Sequence, residues 1–261
     1  MVRGITVPAG MPWGPSAVRL GVRGLSVPTP DVLLLDSRDS FTFNLAQACA
    51  ELGAEVDVVD ADLVTADQII SARELGGGPS LVMIGPGPRG PRELPRLVEL
   101  VRDLDGAVPL FGVCLGLQVI VKARGGVVER AAAPVHGKRD AIAHDDVGCL
   151  RGLPSPLWVM RYHSLIAASV PPSLTVTARD AAGQPMGLRD PRAAVEAVQF
   201  HPESIGTAGG MQLLHNVLAG AGIGVTLPAG RMGAVPPPTS RGPGFRDDAS
   251  GSGSVALEEH P

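Results

Sequence analysis

A cysteine bracketed by glycines, Gly112-Val113-Cys114-Leu115-Gly116-Leu117-Gln118, follows an apolar run over 108–111 and opens a segment with helical periodicity. A strand, a glycine turn and a helix start place the central residue on a sharp elbow at the top of a sheet, here with sulfur as the nucleophilic atom. The helix start sets partial positive charge and free N–H groups beside that sulfur, which favours the reactive thiolate. A thiol nucleophile needs a base, and the base needs a group that holds its tautomer. The segment Gln199-Phe200-His201-Pro202-Glu203-Ser204 offers both. Residues two apart in an extended backbone share a face, so His201 and Glu203 point the same way. Pro202 keeps His201 out of the helical region. Taken singly, a small buried cysteine in a turn is inert packing, and His-x-Glu is a strand end beside a solvated carboxylate. Both in one chain favour a Cys-His-Glu triad.

These groups need a frame to hold them. From Asp31 the pattern alternates, with strands over 32–35, 55–59, 81–84 and 108–113, and helices over 41–52, 65–75, 94–104 and 115–123. Continuous apolar strands with short links imply an α/β fold, a doubly wound and mostly parallel sheet with helices on both faces. Ligands bind outside the carboxyl ends of such strands, where Gly87 and Cys114 fall. After Gly126, short runs at 127–128, 141–142, 157–160 and 174–178 read as a small antiparallel sheet. Residues 181–185 read as a turn, 194–200 as an extended run ending at the histidine, and 211–218 as a last helix. Residues 1–30, rich in Gly, Pro and Arg, read as a flexible lead. The domain spans 31–219. Residues 220–261, with Pro236-Pro237-Pro238 and Gly251-Ser252-Gly253-Ser254, read as a disordered tail.

The 261 residues carry a net charge of −4. With no basic block, nucleic acid is not an expected partner. No apolar stretch reaches the ~20 residues of a bilayer span, and the first 30 residues lack a secretory apolar core. Three cysteines form neither a paired framework nor a metal-ligand spacing, so no metal is expected. A reactive thiol among them suits a cytoplasmic protein.

Six segments in order resemble the class I (triad) glutamine amidotransferases: Asp36–Leu45, Gly85–Pro88, the cysteine elbow, His136-Gly137-Lys138, Arg161–Leu165 and Gln199–Ser204. Within them the chain is similar to the glutaminase component of anthranilate and aminodeoxychorismate synthases, over roughly Asp31 to Leu218. Leu117 and the run 204–210 resemble the glutaminase half of fused anthranilate synthases. The resemblance implies hydrolysis of L-glutamine through a thioester on Cys114, with His201 as acid and base and Glu203 orienting it. The oxyanion needs preorganised N–H donors. These are expected from the backbone of Leu115 and of Gly87, whose neighbours Pro86 and Pro88 have no N–H.

By resemblance, glutamine is held by Gly87, Pro88, Arg89, Gln118, Ser164 and Leu165. Arg89 stands where relatives carry a small residue. Asp39, Ser40, His136, Lys138, Tyr162 and His163 resemble a face toward a partner. For the segment 36–44 two readings stand, since Asp39 or Ser40 also suits a helix cap. His163 is an alternative base. The implied partner is a separate chorismate-binding synthase in a hetero-oligomer, which receives ammonia through a channel. No cofactor is implied in this chain, and a Mg2+ requirement would belong to the synthase. Three alternatives remain: a glutaminase for a natural-product pathway (phenazine-like or aminodeoxyisochorismate), a non-catalytic regulatory subunit of the same fold, and a hydrolase of γ-glutamyl peptides.

Overall fold

The computed structural model describes residues 3–6, 13, 16–21 and 29–228. Its elements in chain order are β1 (Arg3–Thr6), β2 (Val18–Gly21), β3 (Val32–Asp36), α1 (Thr42–Glu51), β4 (Val56–Asp60), α2 (Ala66–Glu74), β5 (Leu81–Ile84), α3 (Pro95–Asp103), β6 (Leu110–Val113), α4 (Leu115–Ala123), β7 (Val127–His144), β8 (Leu157–Ser169), β9 (Thr175–Arg179), β10 (Pro185–Asp190), β11 (Val195–Val198) and α5 (Gly210–Gly220). The strands form one sheet in the order β1-β2-β4-β3-β5-β6-β11-β10-β9-β7-β8. Neighbours from β4 through β11 run parallel, as the apolar runs imply.

Each central strand is buried on both faces, and alternate side chains feed two cores. Leu34, Met83, Phe111 and Val113 pack on Leu45 and Cys49 of α1 and on Leu213 and Leu214 of α5. Leu33, Leu35, Val82 and Ile84 face the other way, against Leu97 and Val101 of α3 and Val119 and Ile120 of α4. Each such side chain contributes roughly 1.5–3 kcal/mol of transfer free energy. This packing fixes the ends of β3, β5, β6 and β11, from which the active-site loops spring.

The antiparallel part differs from the short runs expected. It is continuous with the parallel core through β11, β10 and β9. β7 is one strand of 18 residues. It pairs with β8 along most of its length and with β9 at Ala143 and His144, with irregular register between Arg130 and Val135 and between His136 and Lys138. Glu129, His136 and Lys138 along it are exposed. No described residue of β7 before Ile142 is buried, so that strand carries no period-2 core pattern and only its ends were legible.

The lead over 1–30 also differs from its expectation. β2 lies antiparallel on β4, and β1 on β2. Without β2, β4 would be the sheet edge. The anchor is Asp57, fully buried on β4. Arg19 grips it with two bonds, Nε to Oδ1 at 2.6 Å and Nη2 to Oδ2 at 2.9 Å, and Trp13 Nε1 donates to Oδ2 at 3.1 Å. At the other end, residues 221–228, expected to belong to the tail, are described and pack on the domain. Ile223 is buried, and Thr226 N–H donates to the Leu52 carbonyl at 3.0 Å. The expected disorder over 229–261 falls outside the described residues, as do 1–2, 7–12, 14–15 and 22–28.

Removing one partner of a buried ion pair strands the other charge. Arg19→Met should therefore lower unfolding stability by about 3–5 kcal/mol, read by urea denaturation. Pairing it with Asp57→Leu should recover most of that loss. A single variant as stable as the wild type would show that Arg19 does not anchor the added strands.

Candidate active site

β6 ends at Val113, and the chain turns at Cys114 with φ 54 and ψ −99 before α4 begins. A positive φ is strained for a non-glycine residue and persists only where the surroundings enforce it. Here Cys114 N–H donates to the Val198 carbonyl of β11 at 2.8 Å. Gly116 completes the elbow, because a Cβ there would collide with the Ile84 carbonyl oxygen. Cys114 is therefore the helix N-cap residue, with its thiol at the start of α4.

His201 follows β11, and its backbone is pinned. His201 N–H donates to the Met160 carbonyl at 3.1 Å, and Thr207 Oγ1 donates to the His201 carbonyl at 2.6 Å. Its Nδ1 lies 2.6 Å from Glu203 Oε1, with both side chains buried. The contact does not arise in the extended backbone expected. Ser204 N–H donates to the His201 carbonyl at 3.3 Å, so a turn, not a strand, brings the carboxylate under the ring. Phe41 and Tyr162 box the imidazole, edge-on to it at 5.6 and 5.2 Å and stacked on each other at 5.3 Å.

Burial works against the imidazolium, but the Cys114 sulfur and the Glu203 carboxylate outweigh it and raise the His201 pKa to about 10. The Cys114 sulfur acts on the ring chiefly as a hydrogen-bond partner and only then through its charge, although Nε2 makes no bond of full hydrogen-bonding geometry in the described structure. The other two cysteines are buried and do not line the cavity that opens over Cys114, though Cys49 lies near enough to Glu203 to feel its charge. Burial pushes Cys49 up to about 12, and burial with the nearby Glu196 raises Cys149 well above the ordinary thiol. Both remain protonated and inert at neutral pH.

A cavity of about 400 Å³ opens over the thiol at the carboxyl ends of the parallel strands. It brings together Cys114, His201, Gln118, Gly87, Pro88, Arg89, Ser164 and Leu165, and from the expected partner face Asp39, His136, Tyr162 and His163. Ser40 and Lys138 do not line it and are exposed. Leu115 is buried, and its side chain packs so close to Gly87 that a Cβ on Gly87 would strike it. The two residues expected to supply the oxyanion donors are thus packed against each other. Phe41, Glu93 and Arg130 also line the cavity, and no periodicity or spacing had marked them. A cavity of similar volume, lined by Leu110, Arg189 and Gly220, lies at the opposite strand ends and holds none of these groups.

Neither Asp39 nor Ser40 caps α1. The N-cap residue is Phe41, with no side-chain cap bond. Asp36 Oδ1 instead organises the loop, accepting from Arg38 N–H, Asp39 N–H and the Thr42 hydroxyl. That turn sets the Phe41 ring against His201.

His163 is not placed as a base. Arg161 Nε donates to its Nε2 at 3.1 Å, and its Nδ1 lies 3.0 Å from the Leu165 carbonyl. Burial, helped by the Arg161 charge, lowers its pKa to about 4, so it stays neutral.

A family model described as glutamine amidotransferase class-I matches residues 33–221. The chain is 43% identical over 189 residues to the aminodeoxychorismate/anthranilate synthase component 2 of Bacillus subtilis (strain 168), covering 72% of this chain and 95% of that one. It is 43% identical over 189 residues to the aminodeoxychorismate synthase component 2 of Escherichia coli (strain K12), covering 72% and 98%. It is 44% identical over 194 residues to the anthranilate synthase component 2 of Pseudomonas aeruginosa, covering 72% and 94%. Among solved structures, a putative GMP synthase protein from Thermoplasma acidophilum superposes with a TM-score of 0.64 at 24% identity, covering 73% of this chain and 93% of that one. That last likeness concerns the fold alone.

The raised His201 value has a definite sign. Below about pH 6.5 the ring is charged whether the chain is folded or not, and its pairing stabilises the fold in full; the contribution is lost as pH rises through about 10. Glu203→Gln removes an opposite charge and should lower the His201 pKa by about one to three units, measured by NMR titration of the ring. An unchanged titration would mean that Glu203 does not hold the imidazolium.

Proposed function

The chain belongs to the class I glutamine amidotransferases, and on that premise we propose that it is the glutaminase subunit of an anthranilate or aminodeoxychorismate synthase. The observation that carries this reading is the buried His201–Glu203 pair, 2.6 Å apart, whose imidazole lines the same cavity as the strained Cys114 elbow.

The chemistry follows from those groups. The Cys114 thiolate attacks the carboxamide carbon of glutamine, and the oxygen gains charge. Backbone N–H groups of Leu115 and Gly87 receive that charge. The His201 imidazolium gives its proton to the departing nitrogen, which leaves as ammonia, and a glutamyl thioester remains. Neutral His201 then takes a proton from water, hydroxide adds to the thioester, and glutamate leaves as the thiolate re-forms. Glu203 holds Nδ1–H throughout, so Nε2 faces the reaction in both steps. Gln118, Ser164 and Leu165 hold the amino-acid end of the substrate, with Pro88 and Arg89 above it.

The component 2 names of the relatives speak for a second, synthase component that uses the ammonia. We assign this partner as a chorismate-binding protein in a hetero-oligomer, with any Mg2+ requirement on its side. The rim formed by Asp39, His136 and Tyr162 is the face offered to it, whereas His163 is buried. Among the described residues no helix is long and apolar enough to cross a membrane. The three unpaired cysteines suit the cytoplasm.

Glutamate release should fall at least about 1,000-fold in Cys114→Ala, and should rise when a chorismate-binding synthase and chorismate are added to the wild type. The wild-type kcat/KM should hold through the neutral range and fall as pH approaches about 10, where His201 loses its proton. Glutamate released equally well by Cys114→Ala would refute the assignment.

A further inference from the structure

The cysteine has one more neighbour, contributed by the residue that follows β11. Gln199 is fully buried, and its Nε2 lies 3.7 Å from Cys114 Sγ. An amide side chain presents either a donor or an acceptor, and which end faces the sulfur decides its effect. The surrounding bonds settle this through the Leu165 carbonyl, which can only accept. Arg161 is held by Asp140, by Asp180 at 2.9 Å and by Gln184 at 3.2 Å. Its Nε–H donates to His163 Nε2, so the neutral ring carries its proton on Nδ1 and donates to the Leu165 carbonyl. That same carbonyl also faces Gln118 at 3.3 Å, and a carbonyl oxygen can only accept, so Gln118 presents Nε2. The Gln118 nitrogen lies 3.4 Å from Gln199, which therefore presents Oε1 to it. The Gln199 N–H is left facing the thiol. The opposite orientation would set two amide nitrogens against each other and a carbonyl oxygen against the thiolate.

We propose that Gln199 is a catalytic residue whose buried amide N–H stabilises the Cys114 thiolate, its orientation dictated through Gln118 by the Leu165 carbonyl. The assignment rests on the glutaminase reading for its reaction but not for its test. A hydrogen bond strengthens when its acceptor is ionised. The bond to sulfur is therefore strong to the thiolate and weak to the thioester. It favours the nucleophile before attack, and again as the sulfur departs when the thioester is hydrolysed. The buried setting magnifies the effect, because water does not compete for the sulfur.

The test needs no substrate. Iodoacetamide alkylation of folded protein across pH reads the thiolate directly, with Cys114→Ala as the blank for the two buried cysteines. Gln199→Met keeps the length and loses the donor. Gln199→Glu keeps the shape and sets a carboxylate against the sulfur. Alkylation at pH 7 should slow about tenfold in Gln199→Met, as for loss of a charge-assisted bond, and further in Gln199→Glu. The midpoint of each pH profile should move upward. Glutamine KM should stay within about twofold while kcat falls. A folded Gln199→Met with the wild-type alkylation profile would overturn the proposal, whatever its glutaminase activity. Should the variants not fold, the wild type supplies the answer by NMR. The Gln199 side-chain amide protons should shift with the thiol titration and again on alkylation, and static resonances would overturn the assignment. Wild-type protein that passes these tests yet releases no glutamate with any partner would sink the glutaminase reading and leave this one standing.

Discussion

The whole site depends on one costly backbone conformation, Cys114 held at φ 54 between β6 and α4. Conformations of this kind cost of order 1–3 kcal/mol and survive only where surrounding structure over-determines them. The parallel sheet supplies that constraint. β6 lies between β5 and β11, paired along its length to both, and cannot relax sideways. Because β11 is the neighbour, the strand whose last residue, Val198, bonds Cys114 N–H also leads directly into Gln199 and His201. Nucleophile, thiolate donor and base are thus carried by two adjacent strand ends, and their relative positions follow from one register.

Electrostatics then divides labour among groups of the same type. Three cysteines are buried, but only Cys114 sits at a helix start with an imidazolium and an amide donor beside it. Two buried histidines of the cavity wall have opposite fates. His201 faces a carboxylate and a thiol and is held protonated, whereas His163 faces a guanidinium and is held neutral. The first moves protons. The second, unable to gain one near pH 7, serves as a fixed link between Arg161 and the carbonyl at the substrate end of the cavity.

What the sequence made legible was whatever carries a local signal. The strands at 32–35 and 81–84 are unbroken apolar runs, and the elbow needs glycines at set offsets, so parallel core and nucleophile were readable together. His201 and Glu203 were readable as a pair, but for a partly mistaken reason, since the turn after β11 rather than an extended backbone unites them. Arg161 and Gln199 act through partners up to 85 residues away in the chain, and polar contacts of that reach leave no periodic trace. Phe41 looked like part of a capping loop because only its packing against Tyr162 and His201 shows its use. The strand β2 was hidden in a Gly- and Pro-rich stretch, and its anchor is a single arginine meeting a carboxylate on β4. Residues 3–6 and 13–21 lie before the family match at 33–221, so this edge is an addition to the part shared with relatives.

The central claim is a covalent glutamyl intermediate on one specific sulfur. Intact-mass measurement of protein mixed with glutamine and acid-quenched during turnover, followed by peptide mapping, tests it directly. The account predicts a mass increase of one glutamyl group on the peptide carrying Cys114, absent from Cys114→Ala and retained longer when His201 is replaced by alanine. Steady ammonia release with no adduct at any stage, or an adduct on Cys49 or Cys149, would contradict it.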